Sequence, residues 1–173
     1  ATTYSIIKRH EGHIAVTSAL GKGTCFTFYL PASATVAGPT DDISEGLLQG
    51  TGRILVMDDE EEIREVLGKM LQHLGFEVDF ACDGSQAVAL YCRAMEDKTP
   101  YVATILDLTI PGGMGGKETL RRIQQQHPDA IVIVSSGYSN DPVMAQATQF
   151  GFSGFIPKPY NLVDLSKVLS RLR

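Results

Sequence analysis

From Gly52 onward the chain alternates five times between short apolar runs and stretches with helical apolar spacing. No other feature restricts its fold as strongly. The runs cover residues 54–57, 76–80, 102–106, 130–135 and 154–156. Runs that are apolar on successive residues suit strands of a sheet covered on both faces. Between the first two, Ile63, Val66, Leu67, Met70, Leu71 and Leu74 recur at helical spacing. Gly75 stands where a helix closes on a left-handed residue. Ala87, Leu90, Tyr91 and Ala94 mark a second helix, and Leu120 and Ile123 a third over 117–126. Asp141-Pro142 reads as N-cap and first-turn proline of a fourth. Leu162, Leu165, Leu169 and Leu172, after Asn161, mark a fifth.

Strand–helix units in series require right-handed crossovers. They predict an α/β fold: a doubly wound five-stranded parallel sheet, flavodoxin-like, in the order 2-1-3-4-5. That order brings the carboxyl ends of strands one, three, four and five to one edge, where open sheets place their ligands. Polar residues follow each of those strands: Asp58-Asp59, then Asp107, then Ser135-Ser136-Gly137, then Lys158-Pro159. Singly, each has a plain explanation. Acids favour a helix N-terminus, Asp107 suits a turn, Ser-Ser-Gly suits another, and most lysines are solvated. Jointly they match phosphoryl chemistry. Carboxylates hold a hard divalent cation, an aspartate can act as nucleophile and form an acyl phosphate, and a lysine neutralises phosphoryl oxygens as a point charge. Such transfer depends on positioning and charge neutralisation.

Residues 52–173 resemble a response-regulator receiver domain. The matching stretches are Val56-Met57-Asp58-Asp59-Glu60, Leu106-Asp107-Leu108-Thr109-Ile110-Pro111, Val134-Ser135-Ser136-Gly137-Tyr138 and Phe155-Ile156-Pro157-Lys158-Pro159. The resemblance implies Asp107 as phosphoacceptor, with Asp58, Asp59, Asp107 and the carbonyl of Thr109 around Mg2+. It implies Asp59 as the direct ligand, with Asp58 acting mainly through water. It implies Ser136 as switch hydroxyl, preferred to Ser135 by its interval to Lys158, and Phe155 as switch aromatic. Lys158 contacts the phosphate, next to a cis bond to Pro159. The family usually shows one residue and then Met-Asp-Gly after the proline. Here Gly112-Gly113-Met114-Gly115-Gly116 has one residue more and no aspartate, so a looser or differently shaped loop is expected.

Residues 1–31 resemble the tail of a histidine-kinase ATP-binding domain, a helix followed by a hairpin. The resemblance rests on the stretches from Tyr4 to Ile14 and from Gly21 to Pro31, chiefly Gly23-Thr24, Phe26, Phe28 and Leu30-Pro31. The rest of that nucleotide site is missing, so ATP binding is not expected, and His10 and His13 are not the phosphorylated histidine of such kinases. Residues 32–51 are rich in small residues and proline and read as a linker, with Leu47-Leu48 available to dock as a helical turn.

Together the resemblances imply the C-terminal piece of a hybrid sensor histidine kinase. Its receiver takes a phosphoryl group from a phosphohistidine, of its own kinase or a cognate one, and can pass it to a histidine phosphotransfer protein. The chain ends after the fifth helix, so no DNA-binding output domain is expected. A net charge of −5 also argues against nucleic acid. No apolar run approaches a membrane span, so no membrane contact by this fragment is expected and its location reads as cytoplasmic; anchoring of the parent is left open. Cys25, Cys82 and Cys92 suit reduced thiols. Two competing readings stand beside this one. A haloacid-dehalogenase-type phosphatase also uses an aspartate nucleophile, but after the first strand in an Asp-x-Asp pattern that Asp58-Asp59 does not fit. A pseudo-receiver would bind partners without taking phosphate, and the full set of acid, hydroxyl and lysine argues against it.

Overall fold

The computed structural model describes residues 2–32, 47–137 and 147–171. The chain forms two compact units, Ala1–Asp42 and Ile43–Arg173. The first has a helix, α1 (Thr2–Arg9), and an antiparallel hairpin of β1 (His13–Ala19) and β2 (Gly23–Tyr29). The helix ends in a double hydrogen-bonded cap: Gly12 N–H donates to Ile7 O and Glu11 N–H to Lys8 O. The left-handed position of that cap carries Glu11 rather than glycine, at φ 56°.

In the second unit the elements are β3 (Arg53–Met57), α2 (Glu61–His73), β4 (Glu77–Ala81), α3 (Gly84–Glu96), β5 (Tyr101–Asp107), α4 (Gly116–Gln126), β6 (Val132–Ser136), a 3-10 turn (Ala147–Phe150), β7 (Gly154–Pro157) and α5 (Leu162–Ser170). The five strands are parallel in the order β4-β3-β5-β6-β7, the expected 2-1-3-4-5. Strand residues alternate between two cores. Leu55, Met57, Leu106, Val132 and Val134 pack with Ala87, Tyr91, Leu120 and Ile123 of α3 and α4. Ile54, Val56, Ile105, Ile133 and Ile156 pack with Leu67, Leu71, Leu165 and Leu169 of α2 and α5. Burial on both faces is why these strands lack polar alternation.

Several sequence-based boundaries move. Gly75 is the left-handed C′ residue of α2, at φ 90°. Its N–H donates to Gln72 O, and Phe76 N–H donates to Leu71 O. Phe76 is therefore used by the cap, and β4 begins one residue later than expected. Ala130 N–H closes a turn onto His127 O, so β6 starts at Val132 and runs on through Ser136, which pairs with Pro157. Val66 does not join the buried stripe of α2; it is 48% exposed. Leu47 and Leu48 do dock on the α2–α5 core, but without helical form. The Leu48 amide donates to Ser166 Oγ at 2.8 Å, so the end of the expected linker packs on the sheet unit. The Asp141-Pro142 cap, Tyr138 and Leu172 lie outside the described residues.

Candidate functional site

The parallel sheet gathers the polar residues at its carboxyl edge. Asp58 follows β3, and its amide donates to Ala81 O at the end of β4. Asp107 ends β5 opposite Ser135, and the next amide, Leu108 N–H, donates to Ser135 O at 2.9 Å. Ser136 ends β6 and accepts the Lys158 amide at 2.9 Å. The Lys158–Pro159 peptide is cis.

Lys158 joins two of these strand ends. Its Nζ donates to Asp58 Oδ2 at 2.6 Å and to Asp107 Oδ2 at 2.9 Å. Asp58 is 1% exposed and Asp107 9%. Burial pushes the Asp107 carboxyl above its ordinary range; the Lys158 hydrogen bond opposes that rise, and the Asp58 charge adds to it. Burial alone would lower the Lys158 ammonium, but its bonds to Asp58 and Asp107 hold it above the usual lysine value.

Carboxylate oxygens of Asp58, Asp59 and Asp107 lie within 4.8 Å of one another. Three carboxylates against one ammonium leave an excess of negative charge. This all-oxygen donor set fits a hard divalent cation such as Mg2+, which takes carboxylates and keeps several waters. Of the three, only Asp59 is exposed to solvent.

The acid pair is held by its backbone. Glu60 N–H donates to Asp58 Oδ1 at 3.0 Å. Arg64, one turn into α2, donates from Nη1 to Asp58 O at 2.7 Å and Asp59 O at 3.1 Å. Sequence reading passed over Arg64; its signal was a lone basic residue close behind an acidic helix start. It also passed over Tyr160, whose hydroxyl lies 2.6 Å from Ser135 Oγ. Burial pushes that phenol up to about 12.

The remaining expected residues fall around the cluster. Thr109 N–H lies 3.5 Å from Asp107 Oδ1, and Ser136 is buried at the end of β6. Phe155 points outward, 46% exposed. The glycine-rich loop is held by backbone hydrogen bonds and close backbone contacts. Gly116 N–H donates to Leu108 O, and Met114 O accepts from Gly84 N–H at the start of α3. A Cβ on Gly116 would meet Asp107 O at 2.7 Å, and one on Gly115 would meet Leu108 O at 2.6 Å. Gly115 and Gly116 thus permit close backbone packing around Asp107.

Residues 54–170 match the family model of the response regulator receiver domain. The chain is 29% identical over 178 residues to the sensor kinase CckA of Brucella abortus, covering 98% of this chain and 18% of that protein. It is 31% identical over 182 residues to the sensor histidine kinase AtsR of Burkholderia thailandensis, covering 100% of this chain and 29% of that protein. The chain thus spans less than a third of these relatives. In fold it is similar to the receiver domain of the sensor histidine kinase PA1611 of Pseudomonas aeruginosa, a structure with magnesium coordinated in its active-site cleft. The TM-score is 0.61 at 24% identity, covering 71% of this chain and 98% of that one.

Proposed function

Since the chain belongs to the response regulator receiver family, we propose that Asp107 is its phosphoacceptor, served by Lys158 and an Mg2+ ion at Asp58, Asp59 and the Thr109 carbonyl. A receiver domain of two-component signalling is the functional unit here. The observation that carries the residue assignment is the pair of salt bridges from the Lys158 ammonium to Asp107 and Asp58. It holds a cation beside a strand-end carboxylate that opens to the same edge as two further acids.

In the proposed transfer an Asp107 carboxylate oxygen attacks phosphorus. A new P–O bond forms, and the P–N bond of the phosphohistidine breaks. The imidazole keeps that electron pair and takes a proton from water. Lys158 neutralises the phosphoryl oxygens and leaves Asp58 to do so. Bound Mg2+ supplies charge neutralisation and orientation of the phosphoryl oxygens. Ser136 donates to a phosphoryl oxygen in the phosphorylated state, and Phe155 turns inward. This gives the phosphate a differential contact between two conformations.

The donor is the phosphohistidine of a histidine kinase, and a histidine phosphotransfer protein is a further partner. Residues 1–31 are the tail of that kinase's ATP-binding domain. The likeness to CckA and AtsR along nearly all of the chain supports this reading. The exposed Phe26, Phe28 and Tyr29 of the hairpin suit a piece that packs on more of such a domain. Among the described residues no helix is long and apolar enough to cross a membrane, and a cytoplasmic site suits both the phosphodonor and the chain's three free thiols.

Acetyl phosphate provides the test of the site. Labelling is expected with Mg2+, to vanish with a chelator, and to fall steeply in Asp59→Ala. Equal labelling without metal would overturn the metal assignment. For the kinase tail, calorimetry with Mg-ATP is expected to show no binding; a micromolar affinity would contradict that reading.

A further inference from the structure

Two hydroxyls beside the acid cluster, one buried and one half-buried, have no part in the chemistry above. Ser135 precedes the switch serine on β6, after Val132, Ile133 and Val134, and is 1% exposed. Tyr160 stands two residues beyond Lys158, and its ring packs against the α2–α5 core. Their oxygens meet at 2.6 Å.

An aliphatic residue would fill the Ser135 site, and phenylalanine would pack as tyrosine does. Alone, the Ser135 hydroxyl would be a buried polar atom with a desolvation cost and no return. As a pair they satisfy each other. The bond spans two elements, linking the middle of the sheet edge to the segment that carries Lys158. Ser135 O also accepts from Leu108 N–H, and Ser136 O from Lys158 N–H. The Ser135-Ser136 step is therefore tied to the segment after Asp107 on one side and to the lysine segment on the other.

We propose that Tyr160 and Ser135 form a hydroxyl latch that sets where the Lys158 ammonium lies against Asp107, making both of them positioning residues for phosphoryl acceptance. The proposal rests on the Asp107 reading above. A lysine side chain is long and rotatable, so its placement depends on where its backbone is fixed. The hydrogen bond from the Lys158 amide to Ser136 O fixes that backbone before the cis peptide, and the latch fixes it after. Small displacements of a group that must meet a phosphoryl oxygen carry large rate penalties.

The test compares the wild type with Tyr160→Phe, Ser135→Ala and the double variant. It reads the acetyl phosphate labelling rate and, separately, Mg2+ affinity by NMR titration. Each single variant is expected to label about ten-fold more slowly, the scale of one lost hydrogen bond in a positioned site. The double variant is expected to be no slower than the slower single, because one shared contact is lost once. Mg2+ affinity is expected to hold or rise, since a loosened Lys158 competes less for Asp58 and Asp107. A merely structural role would lower rate and metal affinity together, and that result overturns the latch. Variants that label as fast as the wild type overturn it too, whatever their melting temperatures. A wild type that takes no phosphoryl group overturns the Asp107 reading, and the latch with it.

Discussion

The hairpin strand β2 and the sheet strand β6 are similar in make-up and opposite in fate. Gly-Thr-Cys-Phe-Thr-Phe-Tyr of β2 is exposed at every residue, whereas Val-Ile-Val-Ser-Ser of β6 is buried at every residue. Both have their ladder partners. The difference is the second layer. Helices cover β6 on both faces, so its apolar side chains leave water and even its serines must find partners. The lesson is that strand pairing alone fixes register, while burial fixes chemistry. The acid–lysine cluster is only possible in the unit that has its own core, because burial is what sharpens a Coulomb interaction and shifts a carboxyl.

The largest expected effect tests that contrast directly. Ile133, fully buried, should lose about 2–5 kcal/mol of stability as Ile133→Ala. Phe28→Ala, at an exposed position, should cost less than about 0.5 kcal/mol. Urea denaturation of both variants measures this, and equal losses would break the comparison.

Next comes the charge held within the buried edge. Lys158→Met is expected to slow labelling by about a hundred-fold or more, since an electrostatic contact to the phosphoryl group disappears. The same change should tighten Mg2+ binding, because a cation bonded to Asp58 and Asp107 has gone. Weaker metal binding in this variant would mean that Lys158 supports the metal site rather than competes with it.

A smaller effect lies in pH. Burial raises the Asp107 carboxyl above its ordinary 3.8. The folded protein then holds that proton more tightly than the unfolded chain. This group therefore favours folding below 3.8 and loses that contribution as pH rises through its folded value. Labelling needs the ionised form, so on acidification it should fade at a higher pH than an ordinary aspartate would allow. A labelling profile flat down to 3.8 would contradict this.

The smallest effect compares one device in both units. Glu11 and Lys98 each take the left-handed position of a helix cap, both at φ 56°. Glu11→Gly and Lys98→Gly should each stabilise by about 0.5–1 kcal/mol, as glycine relieves the steric cost. Thermal melts read the change in the sheet unit, and hydrogen exchange reads it in the hairpin unit.

Sheet order and the edge carrying Asp58, Asp107, Ser136 and Lys158 were legible in the sequence, because doubly buried strands and strand-end acids leave local marks. Strand ends were less so. Phe76 looks like a strand residue, and only the cap bond to Leu71 takes it out. Arg64 and Tyr160 escaped because their roles depend on contacts that helix spacing does not announce: two backbone carbonyls in one case, a serine on another strand in the other. The close packing of the glycine loop was hidden for a related reason. Glycines suggest freedom in isolation, whereas here they allow the backbone to close on Leu108 and Asp107.

The most direct measurement is intact-mass analysis of the wild type and Asp107→Asn after incubation with acetyl phosphate and Mg2+. The wild type should gain a single phosphoryl group that is stable in acid and lost in base, as an acyl phosphate is, and Asp107→Asn should gain none. Equal labelling of Asp107→Asn, or an unlabelled wild type, would contradict the assignment of Asp107 as phosphoacceptor.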